Sequence, residues 1–189
     1  MNPIATFYMK NGNKIVIQLM PEAAPNTVAS FVSCVQKGAL DGHPIERIVP
    51  GKWVDFSYTA FHSEDCRYLI PREADLNPEI TPLDSHPGCV CMGGYGEKGN
   101  AGCEPFFPLK DCPEHKGIYP VFGKVLEGMD EIYRLEKVET TPVQTAIEGY
   151  VVDTTIQPQV IEKVTVELNG YVLPPVVKMP HDWIPPTWE

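Results

Sequence analysis

The chain has 189 residues, of which 43% are hydrophobic and 21% charged, so it carries enough apolar material to bury one sizeable core. Its 15 basic and 25 acidic residues leave a formal charge of −10, with the acids spread from Glu22 to Glu189 rather than gathered in a block. That balance excludes the basic stripe through which proteins displace counterions from nucleic acid. No run approaches the roughly 20 apolar residues of a membrane-spanning helix. Met1 to Lys10 lacks the basic start, apolar stretch and cleavage site of a signal peptide. The expectation is a cytoplasmic protein whose cysteines (Cys34, Cys66, Cys89, Cys91, Cys103 and Cys112) are free thiols.

Ile4 to Met9 and Lys14 to Met20 are β-rich, and Asn11-Gly12-Asn13 between them tolerates positive φ, which predicts a hairpin. Val28, Phe31, Val32 and Val35 recur at i, i+3, i+4 and i+7, predicting an amphipathic helix with Pro25 in its first turn and Gly38 at its stop. Short β-type runs follow at Ile45 to Val49 and Trp53 to Tyr58, about a Pro50-Gly51 turn. Residues 59–87 have weak periodicity, carry Pro71, Pro78, Pro82 and Pro87, and read as a loop insertion. Strand signals return at Gly88 to Met92, Glu104 to Phe107 and Tyr119 to Val125, and a short helix is expected from Met129 to Leu135. Residues 139–159 are Thr-rich and aperiodic, a connection before the last strand, Val160 to Leu168. The segment 169–189 holds five prolines and two tryptophans and cannot be a regular helix. It is expected either to strap onto its own domain or to dock on a neighbour. Residues 1–168 thus read as one domain with a Pro/Trp-rich extension, and many short strands with two helices argue for a β-barrel or sandwich.

Gly94 to Gly99 fits G-x-G-x-x-G, but a pyrophosphate cradle needs a helix to follow, and Asn100 to Pro105 does not read as one. No cofactor is expected. Cys89 and Cys91 share one face of a strand-like run without a second close pair or a well-spaced histidine, so no metal site is expected. The histidines, His43, His62, His86, His115 and His181, flank no serine or cysteine nucleophile motif. Arg47 stands out instead. It lies between Ile45 and Ile48-Val49, and a guanidinium in an apolar run must pair with an acid or project into a cleft.

Further matches surround it: Pro21 to Val28, Lys37-Gly38, Asp41-Gly42, Arg47-Ile48-Val49-Pro50-Gly51, Phe106-Phe107, Val121 to Val125 and Glu127-Gly128-Met129. In that order they make the chain, from Ile4 to Leu168, resemble a cyclophilin, a peptidyl-prolyl cis-trans isomerase, as a divergent, bacterial-like member. The resemblance implies a mainly β fold: a closed eight-stranded antiparallel barrel capped by two α-helices. It implies rotation of X-Pro bonds in proline-containing peptides or proteins, with no cofactor, no metal, no nucleic acid and no membrane. It makes Arg47 the catalytic donor, Phe107 the floor of the proline pocket and Tyr119 part of its rim. Met92 to Gly94 would align the peptide through the backbone.

The chain departs from the family around that site. Glu46 replaces a histidine, Lys52-Trp53 an apolar pair, and Asp55 the glutamine that supports the arginine; Glu114 stands where the family's cyclosporin-contacting tryptophan falls. Trp53 still offers an apolar wall, and Asp55 lies within reach of Arg47, so both count as substrate-site residues. The expected consequence is weak or altered isomerase activity with weak cyclosporin binding, and the alternative is a catalytically impaired module that binds proline peptides. An internal ion pair of Arg47 with Glu46 or Asp55, and a plain core role for Phe107, stay open.

Overall fold

β1 (Ile4–Met9) and β2 (Lys14–Leu19) pair antiparallel, burying Ala5, Phe7 and Met9 from one strand and Ile15, Ile17 and Leu19 from the other. The pleat sends successive side chains to opposite faces, so this alternation commits one face to a core. The turn closes as the sequence predicts: Gly12 has φ +91°, and Asn11 Oδ1 accepts from the Asn13 amide at 2.9 Å. The computed structural model describes residues 1–57 and 64–188; Tyr58, at the end of one expected strand, and the first residues of the expected insertion, His62 among them, lie outside these.

Helix α1 (Pro25–Gln36) begins at a proline, whose missing N–H has no intrahelical partner to lose. None of its neighbours in sequence caps it. Glu73, buried on the one-turn helix α2 (Glu73–Leu76), accepts instead from the amides of Asn26 (3.2 Å) and Thr27 (2.9 Å) and from the Thr27 hydroxyl (2.6 Å). A carboxylate at that end also meets the positive pole of the helix dipole. Part of the expected insertion is thereby tied to the body of the fold.

The remaining main strands are β3 (Arg47–Val49), β4 (Trp53–Asp55), β5 (Leu69–Ile70), β6 (Cys89–Gly94), β7 (Asn100–Pro108) and β8 (Val121–Glu127). Helix α3 (Met129–Glu136), β9 (Thr140–Gln144), β10 (Val151–Thr155) and β11 (Ile161–Glu167) complete the described elements. One curled antiparallel sheet runs β11-β1-β2-β8-β6-β7-β4-β3, with β5 also paired to β7. Its ends meet just before β3 and at the start of β11. The Gly42 amide reaches Ile161 O (2.8 Å), the Ile161 amide reaches His43 O (2.9 Å), and the Ile45 amide reaches Gln159 O (2.7 Å). The expected closed barrel is corrected accordingly: β3 forms no ladder with β11, and this short seam joins the edges of a curled sheet.

Inside the curl, Phe7, Phe31, Phe56, Phe107 and Phe122 pack together, with ring centroids 4.6 Å apart for Phe56 and Phe107 and 5.4 Å for Phe7 and Phe56. Helix α1 covers the core through Val28, Phe31, Val32 and Val35, the apolar stripe read from the sequence, and α3 adds Ile132 and Leu135. Residues 139–159, expected as an aperiodic connection, contain the β9–β10 hairpin, a separate antiparallel sheet lying against β3. Val152 is its buried residue, so no alternation announced it. Residues beyond 168 strap onto the same chain: Asn26 and Val177 exchange two hydrogen bonds (3.0 and 2.8 Å), and the Met179 amide reaches Leu69 O at 2.8 Å. Among the described residues no helix is long and apolar enough to cross a membrane.

Phe107 is 1% exposed and touches two other core rings. Phe107→Ala is therefore expected to remove about 3–5 kcal/mol of folding stability. A lowered urea midpoint at unchanged slope checks this.

Candidate active site

The register of β3, β4 and β7 builds the site in two rows. Arg47 faces Asp55, and Asp55 faces Phe106, so these side chains share one surface, with Trp53 two residues along β4 on the same side. Ile48, Val54 and Phe107 form the adjacent row and point into the core, each no more than 1% exposed. The assignment of Phe107 to the pocket floor is thus corrected. Phe106 forms the floor, because consecutive residues of a strand cannot share a face.

Around Phe106 stands a box of rings. Its centroid lies 6.3 Å from Trp53, 5.7 Å from His115 and 5.8 Å from Tyr119, while His115 also contacts Trp53 (5.5 Å) and Tyr119 (4.8 Å). Edge-to-face packing at these spacings suits the aromatic quadrupole. The box and the polar groups Arg47, Asp55, Ser57 and Glu104, with Gly93, Gly94 and Tyr95, enclose an open cavity of about 100 Å³. An apolar box with one convergent cation fits a small apolar ring carrying a polar group.

Arg47 donates from Nη1 to Asp55 Oδ2 at 3.1 Å, and its guanidinium carbon lies 5.7 Å from the Trp53 ring centroid. Burial raises the Asp55 carboxyl to about 6 from its ordinary 3.8, against the opposing pull of Arg47. Burial raises Glu104 further, to about 8, although Tyr95 Oη (2.7 Å) and Trp188 Nε1 (2.6 Å) both donate to its Oε1. At neutral pH the pocket therefore holds an ionised Asp55 beside Arg47 and a protonated Glu104. Burial also lowers His115 and raises Tyr119, so both rings are neutral there.

Of the residues singled out in the sequence, Arg47, Trp53, Asp55, Tyr119 and Gly94 come together in this cavity. Met92 does not. Its side chain is in the core, its sulfur accepts from the Glu104 amide at 3.0 Å, and its own amide reaches Pro120 O at 3.1 Å. Sequence reasoning missed Phe106, His115, Tyr95, Ser57 and Glu104. The pleat puts Phe106 and Phe107 on opposite faces, but only the cross-strand pairing with Asp55 and Val54 shows that Phe106 is the outward one. His115 carried none: it arrives on a 3-10 turn, Pro113–His115, held by the Cys112 amide on Ser85 O (2.9 Å). Within Gly94 to Gly99 a 3-10 turn, Gly96–Lys98, leads into β7 rather than a helix.

The family described as cyclophilin type peptidyl-prolyl cis-trans isomerase/CLD matches residues 4–174. Peptidyl-prolyl cis-trans isomerase B of Bacillus subtilis is 32% identical over 134 residues, covering 66% of this chain and 84% of the relative. A probable peptidyl-prolyl cis-trans isomerase of Brucella suis is 28% identical over 136 residues, covering 68% and 69%. Among solved structures, a Cryptosporidium parvum cyclophilin type peptidyl-prolyl cis-trans isomerase superposes with a TM-score of 0.68 at 15% identity, over 88% of this chain and 98% of that one. The same protein in the presence of the dipeptide Ala-Pro gives 0.66 at 16% identity, over 87% and 98%. The match along the sequence and the curled sheet capped by helices lead to one conclusion: this chain belongs to the cyclophilin-type peptidyl-prolyl cis-trans isomerases.

Proposed function

We propose that the Arg47 cavity binds the proline of peptide and protein substrates and catalyses rotation about the preceding peptide bond, without cofactor or metal, at a rate restrained by Asp55. The observation that carries this reading is the Arg47 guanidinium set beside a box of four neutral rings, Trp53, Phe106, His115 and Tyr119. Peptide rotation faces a barrier of about 18–20 kcal/mol because the nitrogen lone pair is delocalised into the carbonyl. Twisting the bond returns that lone pair to nitrogen, so a donor aimed at the amide strengthens its bond in the transition state. The rings hold the pyrrolidine in place, Gly93 and Gly94 let a peptide backbone approach, and Arg47 supplies the donor.

Asp55 modulates that donor. A guanidinium carries five N–H groups, so a bond to Asp55 and a bond to substrate are compatible. An ionised carboxylate at 3.1 Å nevertheless offsets the positive field that the rotating amide meets. This restraint favours the second reading as well, a proline-binding module with little turnover. Both readings include weak cyclosporin binding, in keeping with the exposed Glu114, and residence in the cytoplasm, in keeping with six free, buried cysteines.

Arg47→Ala is expected to lower kcat/KM on an X-Pro peptide by about 10²–10³, the usual loss of one transition-state donor. An exchange or protease-coupled assay reads it, and equal, negligible rates for both proteins would leave only the binding module. Protonating Asp55 relieves the restraint, so kcat/KM should rise as the pH falls through about 6. Asp55→Asn should raise the rate severalfold at neutral pH and remove the inflection. The same shifts act on stability. Both carboxyls bind protons more tightly when folded, so their contribution is full below the ordinary carboxyl values and is lost as the pH rises through about 6 for Asp55 and about 8 for Glu104. The melting temperature should therefore fall across that range, and Glu104→Gln should flatten the upper part of the decline.

A further inference from the structure

The segment beyond residue 168 meets the proposed pocket at Trp188. Trp188 is 1% exposed and packs on Leu69 and Ala101, with Tyr95, Met179 and Trp183 around them. Its ring lies 5.9 Å from that of Tyr95, and its indole N–H donates to Glu104 Oε1 at 2.6 Å. Tyr95 and Glu104 are also walls of the Arg47 cavity. One pair of side chains thus separates the cavity from a socket that the chain fills with its own tryptophan.

The attachment of this tail is uneven. Val177 is tied to Asn26 by two hydrogen bonds and Met179 to Leu69, whereas Pro180, His181 and Asp182 are exposed. The chain then re-enters through the buried Pro185 and a 3-10 turn, Pro186–Trp188. Trp188 is therefore a plug on a short exposed leash. Removing it opens an apolar socket that ends on a hydrogen-bond acceptor, directly beside the cavity.

Resting on the reading of the Arg47 cavity as a proline site, we infer that Trp188 sets substrate specificity: it occupies a socket that flanking residues of a long peptide would otherwise enter, and it holds Glu104 in the cavity wall. A short proline peptide fits within the rings and leaves Trp188 in place. A longer one, extending about 3.3 Å per residue, reaches the Tyr95–Glu104 wall and competes with the plug. Its apparent affinity is then reduced by the fraction of molecules in which the socket is open. Phenylalanine at 188 keeps the apolar plug and loses the donor to Glu104, so it separates the two parts of the role.

The test compares KM and kcat for an X-Pro tetrapeptide and for a peptide extended on both sides, in the full chain and in its Trp188→Ala and Trp188→Phe variants. Trp188→Ala should lower KM for the extended peptide severalfold relative to KM for the tetrapeptide, with Trp188→Phe between it and the wild type. Equal changes for both peptides, or none, would overturn the inference. Should Trp188→Ala fail to fold, the unmodified chain decides it: the Trp188 indole N–H resonance should shift with the extended peptide and stay fixed with the tetrapeptide, and a fixed resonance in both titrations counts against the plug. A chain that turns over neither peptide would defeat the isomerase reading alone, because the indole titration reports socket binding independently of turnover.

Discussion

The pleat of β7 is the constraint on which the rest of the molecule depends. Phe106 and Phe107 are neighbours in sequence, yet one belongs to the row Arg47–Asp55–Phe106 and the other to Ile48–Val54–Phe107. The pocket and the core are thus the two faces of the same three strands. Packing of Phe107 against Phe56 and Phe7 pins the register, and the register aims the guanidinium. A slip of one residue would exchange the faces, placing Arg47 in the core and Ile48 in the cavity. Core stability and site geometry are therefore one property here.

Charge is the second organising element. Among the described residues the cavity receives one cation and two carboxyls, and its low polarity forces the carboxyls into different states. Asp55 stays ionised because Arg47 is 3.1 Å away; among the described residues Glu104 meets neutral donors, Tyr95 and Trp188, and keeps its proton to about 8. The Arg47–Asp55 pair is close to electroneutral at neutral pH. Among cavities of this shape, that distinguishes this pocket from one in which a neutral amide supports the arginine.

Much of this was legible in the sequence. The hairpin and α1 with Pro25 at its start follow from period and turn chemistry, because those segments are short and locally determined; the grouping of Arg47, Trp53 and Asp55 came from the family resemblance alone. The identity of the floor was not, for motif matching chose Phe107 while the β6–β7 ladder shifts register between Met92 and Gly94, and only cross-strand pairing shows which phenylalanine turns outward. Glu104 and Trp188 stand 84 positions apart, and no local pattern predicts their bond. The β9–β10 hairpin left no trace because its side chains are mostly solvated. His115 was one of several scattered histidines until a 3-10 turn delivered it.

The seam between the sheet's two ends has a consequence for motion. β3 is three residues long and is laddered only to β4, and the segment just before it is fastened by three backbone bonds to residues 159–161. Such a fastening can breathe at a free energy well below global unfolding. Arg47 opens the strand two residues beyond its last bond. Whatever loosens the hoop there also frees the strand that carries the guanidinium, so the integrity of this short seam and the aim of Arg47 are tied together.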